Sequence, residues 1–149
     1  MKVAPFFGII ASLGQAVDVE FTFHHERKTM AAAEEACQSE GKTLAFFRNQ
    51  AELSKFMSER PDGIGENPNG GSKNDMWLGI VKVNGNWENI DGSNAVFNWR
   101  SDQPSNLPDE LCVVTNMDDM LDKTCGFEFS YSCRTKVVFF LIAKKLTLW

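Results

Sequence analysis

Cationic excess is missing from this 149-residue chain: 15 Lys and Arg stand against 20 Asp and Glu, a formal charge of −5. Phosphate backbones are gripped by cationic surfaces, so nucleic acid is not expected as the natural partner. An acidic chain that binds a charged species more readily binds a cation. Histidine is nearly as scarce, with two residues side by side, His24 and His25. Neighbours on a strand point to opposite faces and no third ligand lies close in the sequence, so both read as surface side chains and not as a metal site. Neither a Ser/His/Asp ordering nor a metal-hydrolase spacing is visible, and the chain is not expected to be an enzyme. Cys-x-x-Cys pairs are absent too, the nearest cysteines being eight apart, which argues against a structural zinc site.

Apolar runs long enough for a bilayer are also lacking, since a span needs about 20 residues. Met1-Lys2 precedes an apolar stretch from Val3 to Leu13 and the small-polar-small triplet Gly14, Gln15, Ala16. That is the outline of a signal peptide, interrupted mildly by Pro5, with cleavage expected near Ala16. The chain would then be secreted into an oxidising compartment, where Cys37, Cys112, Cys125 and Cys133 can all pair; four cysteines allow three connectivities. At the other end, Val137 to Ala143 is an unbroken apolar run followed by Lys144, Lys145 and Leu146 to Trp149. A terminal strand pairing with the N-terminal strand is one reading of this tail, and self-association or contact with a membrane surface is the other.

What remains has the size of one domain, expected over residues 17–136. Glu20 to Phe23 alternates as a strand should. Thr29 caps a helix running from Met30 to Cys37, which Gly41 stops; Met30, Ala33 and Cys37 share its inner stripe. Thr43 to Phe47 reads as a compact strand. Asn49 caps a second helix from Gln50 to about Arg60, with Leu53, Phe56 and Met57 on one face. Beyond it, Pro61 to Asp75 is rich in glycine, proline and asparagine and reads as an exposed loop. Short strands follow over Met76 to Val83, Asn86 to Ile90, Cys112 to Asn116 and Phe127 to Cys133, with tight turns at Asn84-Gly85 and Asp91-Gly92. Helices first and strands afterwards predict an α+β domain. Trp77, Trp87 and Trp99 are expected in the core.

In this order the features resemble the C-type lectin-like family over Glu20 to Arg134. Trp77-Leu78-Gly79-Ile80 stands for its core-strand tetrapeptide, Gln103-Pro104-Ser105 for its proline-centred triplet, and Met120-Leu121-Asp122, between Cys112 and Cys125, for its Trp-Asn-Asp-like triplet. The resemblance implies a fold of two helices packed on small antiparallel sheets with a long loop region. It implies disulfides Cys37–Cys133 and Cys112–Cys125 and a cis proline in the triplet. It also implies a sugar site in which vicinal hydroxyls join the shell of a calcium ion. Carried over, Gln103 supplies an amide carbonyl, Ser105 a hydroxyl, Glu110 a carboxylate and Asp122 a carboxylate with its backbone carbonyl.

Two positions depart from the family pattern. Ser105 replaces an amide or carboxylate, and Leu121, which has no side-chain oxygen, falls where asparagine is expected. Asp118 and Asp119, by a shift of register, or Asn106, are the alternatives for the missing ligands. The uncharged hydroxyl implies weak calcium binding, on the order of 10⁻⁴ to 10⁻³ M. Gln103 resembles the family's galactose-type triplet at its first position. The implied function is therefore a secreted, calcium-dependent binder of glycans or glycoproteins with a weak galactose-type preference. The alternative is a domain of the same fold that recognises a protein or another surface.

Overall fold

A computed structural model describes residues 19–62 and 74–136. The expected leader, most of the stretch read as a glycine-rich loop and the apolar C-terminal run lie outside the described residues. Strand β1 (Phe21–Lys28), helix α1 (Met30–Ser39), strand β2 (Lys42–Leu44) and helix α2 (Gln50–Glu59) come first. Five further strands follow: β3 (Met76–Val83), β4 (Asn86–Asn89), β5 (Cys112–Asn116), β6 (Asp119–Lys123) and β7 (Phe129–Thr135).

Both helices start where capping chemistry puts them. The Thr29 hydroxyl accepts the Ala32 N–H, and the Asn49 side chain accepts the Glu52 N–H. Gly41, at φ +73°, makes the left-handed exit from α1. In α1 the buried residues are Met30, Ala33 and Cys37, the predicted inner stripe.

The sheet runs β1-β7-β3-β5-β6, with β2 also on β7 and β4 also on β3. Neighbours pair antiparallel except β3 and β7, which run parallel at Met76↔Ser130 and Trp77↔Tyr131. Asn84 and Gly85, both at positive φ, turn β3 into β4. One side of the core gathers Phe21, Phe47, Leu53, Phe56, Leu78, Ile80 and Met120, the other Met30, Cys37, Leu44, Trp77, Leu121, Phe129 and Tyr131. Trp77 is fully buried, its indole N–H donating to Lys28 O at 2.8 Å. Trp87 and Trp99 are half-buried and pack edge-to-face on each other.

Two disulfides lock this arrangement. Cys37–Cys133 ties α1 to β7 across a separation of 96 residues, and Cys112–Cys125 closes 13 residues. In the chain-entropy model these closures stabilise by roughly 4 to 5 and about 3 kcal/mol.

Three expected strands are shifted in extent and one strand is added. β1 continues to Lys28 and takes in both histidines, because β7 pairs with it as far as Lys28↔Phe129 whatever the polarity of its outer residues. His24 is consequently half-buried, its ring stacked on Tyr131, and not a free surface side chain. The expected strand over Thr43 to Phe47 is paired only through Leu44; Ala45 to Phe47 continue as buried chain. The last strand is displaced to Phe129–Thr135, and β6 spans Asp119–Lys123, where the sequence predicts no strand.

Candidate functional site

The loop between β4 and β5 builds the site, and β6 anchors it. Met120 N–H donates to Asn98 O at 2.7 Å and Arg100 N–H to Met120 O at 3.1 Å, clipping the loop onto the strand. Gln103 N–H then donates to Arg100 O at 2.8 Å, and the Gln103–Pro104 bond is cis, as the resemblance implies. On the far side Leu111 O accepts Lys82 N–H at 2.9 Å, fastening the loop's return beside β3. Cys112 and its bridge to Cys125 follow at once.

Within this frame Gln103, Ser105, Glu110 and Asp122 meet. Asp122 N–H donates to Gln103 Oε1 at 3.3 Å. The Asp122 carboxylate, 1% exposed, accepts Ser105 N–H at 2.9 Å and Asn106 N–H at 3.1 Å. The Ser105 hydroxyl lies between the two acids, in hydrogen-bond contact with Glu110 Oε2 and 3.0 Å from Asp122 Oδ2. One hydroxyl carries one proton and cannot serve both carboxylates. The oxygen cluster therefore holds more acceptors than donors, the electrostatic condition that a hard cation relieves.

The alternative ligands are placed elsewhere. Asp119 opens β6, three residues before Asp122, which along a strand is about 10 Å. Asp118 sits in the β5–β6 turn, its carbonyl accepting from Asn98 Nδ2. Asn106 contributes its backbone N–H to Asp122, while its side-chain oxygen accepts from Lys82 Nζ at 3.4 Å. Leu121 turns away from the loop into the core with Trp77 and Val114, as strand alternation beside Asp122 requires. Asp102, adjacent to the triplet, is engaged by the Arg100 guanidinium through contacts of 2.6 and 3.0 Å, whose hydrogen bonds hold its carboxyl below the usual carboxylate range.

Two parts of the site have no side-chain signature in the sequence. The backbone N–H groups of Ser105 and Asn106 steady Asp122, and that depends on the loop's conformation, including Asn106 at φ +57°. An exposed apolar rim, Leu107 and Leu111, flanks Glu110, and single exposed leucines are too common to be marked in a sequence.

Comparison with known proteins bears on the fold. No curated protein sequence matches the chain. Human lithostathine superposes with a TM-score of 0.68 at 22% identity, covering 82% of this chain and 95% of that one. A Ca²⁺-dependent type II antifreeze protein in its Ca²⁺-free form gives 0.66 at 21% identity, covering 82% and 96%. The carbohydrate-recognition domain of the human scavenger receptor C-type lectin gives 0.66 at 19%, covering 83% and 95%. The family model described as the lectin C-type domain matches residues 26–135, and with the two helices, the sheet order and both disulfides in place, the chain belongs to the C-type lectin-like family.

Proposed function

We propose that this domain is a secreted carbohydrate-binding protein that acts through a calcium ion held by Gln103, Ser105, Glu110 and Asp122. The observation that carries the reading is the convergence of these four side chains on the loop with the cis Gln103–Pro104 bond. Two carboxylates, an amide oxygen and a hydroxyl are the donors a hard cation takes, and the set fits. When bound, calcium would take two vicinal sugar hydroxyls into its shell. The chain's own residues do the rest: Asp122 is held by backbone donors, Glu110 is positioned two residues before the Cys112 anchor, and Ser105 donates or accepts toward a sugar hydroxyl. A hydroxyl with both capacities imposes little asymmetry, which supports weak, galactose-type binding with relaxed specificity, strengthened by multivalent display.

The fold is shared with an antifreeze protein as well as with a carbohydrate-recognition domain, so the ligand is argued from the site and not from the fold. A second reading, recognition of a protein or another surface without sugar, is favoured by Leu121, which adds no oxygen, and by the two backbone N–H groups that already satisfy Asp122. Calorimetric calcium titration followed by a glycan array with and without chelator separates them. Millimolar-range calcium binding with chelator-sensitive signal on galactose-type glycans is expected for the first reading; no calcium heat and no glycan signal assigns the second.

A further inference from the structure

Lys82 of β3 directs its ammonium at the loop site. Its backbone N–H fastens the loop's return by donating to Leu111 O, and it stands opposite Trp87 in the β3–β4 hairpin, so the two side chains share one face of the ladder. The ammonium lies 5.5 Å from the Trp87 ring centroid and donates to Asn106 Oδ1 at 3.4 Å. Asn106 directly follows the Gln103-Pro104-Ser105 triplet. Its N–H donates at 3.1 Å to Asp122 Oδ2, the oxygen that the Ser105 hydroxyl also meets. Two hydrogen bonds and one residue thus connect the ammonium to the oxygens of the loop site.

That charge is not committed elsewhere. Lys82 forms no ion pair among the described residues. Glu88, beside Trp87 on β4, pairs opposite Val81 and so belongs to the other face of the hairpin. Arg100, the cation at the start of the same loop, is by contrast engaged by Asp102. The lysine stem also has a fixed bed, because Trp87 packs edge-to-face on Trp99. With its oxygen turned to Lys82, the Asn106 amide keeps Nδ2 without a hydrogen bond among the described residues, which adds two donors beside the ammonium. Donors and a free positive charge next to a sugar-type site complement an anionic substituent. We infer that Lys82, with Asn106, forms a subsite for a sulfate ester on a galactose-type sugar, an inference that rests on the calcium and sugar reading of the loop.

The chemistry of lysine favours sulfate over carboxylate. An ammonium is a compact point charge with rotatable donors, whereas a planar carboxylate is matched best by the fork of a guanidinium. A sulfate ester presents its charge over three oxygens and holds it at every physiological pH. Glu110 and Asp122, one on each side of the Ser105 hydroxyl, repel an anion until a cation offsets them. Binding of the sulfated sugar is therefore tied to calcium.

The test is an NMR titration of the disulfide-intact protein with galactose, galactose 6-sulfate and galacturonic acid, with calcium and with chelator. The 6-sulfate leaves the vicinal ring hydroxyls free. In calcium it should bind about fivefold tighter than galactose, the factor that an exposed charge pair yields at its upper end, and Lys82→Gln should bring that ratio below about twofold while Lys82→Arg keeps it. Added salt should lower the ratio. The ε-methylene resonances of Lys82, assigned through the Lys82→Arg spectrum, should shift with the sulfated sugar and not with galactose. Equal affinities for galactose and its sulfate would overturn the inference and leave the sugar reading standing; no binding of either would overturn both. A preference that survives in Lys82→Gln, tighter binding of galacturonic acid than of the sulfate, or sulfate binding undiminished by chelator would each overturn the inference as well.

Discussion

Arg134, near the end of β7, buries its guanidinium against the Glu52 carboxylate on α2, with Nη1 2.6 Å from Oε2 and Nη2 3.2 Å from Oε1. The same guanidinium donates to Phe46 O at 2.6 Å and lies over the Phe46 ring, while Glu52 Oε2 also accepts Arg48 N–H at 2.9 Å. One ion pair thus holds α2, the chain entering it and the end of β7 together.

Side-chain exposures of 1% and 8% put this pair in the class where removing one partner leaves an uncompensated buried charge. Glu52→Gln and Arg134→Gln should each lose about 3 to 5 kcal/mol in denaturant unfolding, whereas the paired apolar replacement Glu52→Leu with Arg134→Met should lose less than either. Single losses below about 1 kcal/mol would mean that the pair behaves as a solvated one and does not organise the core.

Gly79 in β3 marks a place where the chain admits no side chain. A Cβ there would stand 2.8 Å from Leu44 O and 3.0 Å from Ile90 Cδ1, and the Gly79 N–H donates to Ala45 O at 2.7 Å. The carbonyl belongs to buried backbone and cannot swing aside as a flexible side chain would. Gly79→Ala should cost about 1 to 3 kcal/mol by overpacking, read as a lower thermal midpoint. An unchanged midpoint would show that β2 and β3 are not held at this separation.

Much of the fold is legible in the sequence alone. Capping residues Thr29 and Asn49 locate both helices, and the apolar runs Met76 to Val83 and Cys112 to Asn116 locate β3 and β5 to the residue. The disulfides, and the meeting of Gln103, Ser105, Glu110 and Asp122 on one loop, follow from motif resemblance. β6 is not legible, because Asp119, Asp122 and Lys123 break the apolar alternation that signals a strand; its pairing with β5 and the burial of Met120 and Leu121 hold it. Glu52 with Arg134 and His24 with Glu40 are equally hidden, since their partners lie far apart in the chain and nothing local couples them.

The two disulfides should rank unequally. Cys37–Cys133 restricts a loop of 96 residues and Cys112–Cys125 one of 13. Since loop-closure entropy grows with length, Cys133→Ser should depress secretion and thermal stability more than Cys112→Ser, by about 1 to 2 kcal/mol. Equal losses would place the dominant effect in local packing around each bridge.

Asp122 and Glu110 converge on one hydroxyl yet differ in setting, and calcium should reveal the difference. Buried Asp122 accepts two backbone N–H groups; Glu110 is half-exposed and meets the Ser105 hydroxyl from the surface side. Asp122→Asn places an amide where both oxygens now accept, so it should cost about 1 to 3 kcal/mol even in chelator. Glu110→Gln, near the surface, should leave the calcium-free stability within about 0.5 kcal/mol of the parent. A cation that binds only the folded state raises stability by RT ln(1 + [Ca]/Kd), about 1.4 kcal/mol at tenfold excess, and both variants should lose most of that gain. Thermal unfolding of the parent and the two variants, each with chelator and with several millimolar calcium, measures all of these quantities. Full calcium gain in Glu110→Gln would remove Glu110 from the site, and no gain in the parent protein would leave surface recognition without calcium as the function of this loop.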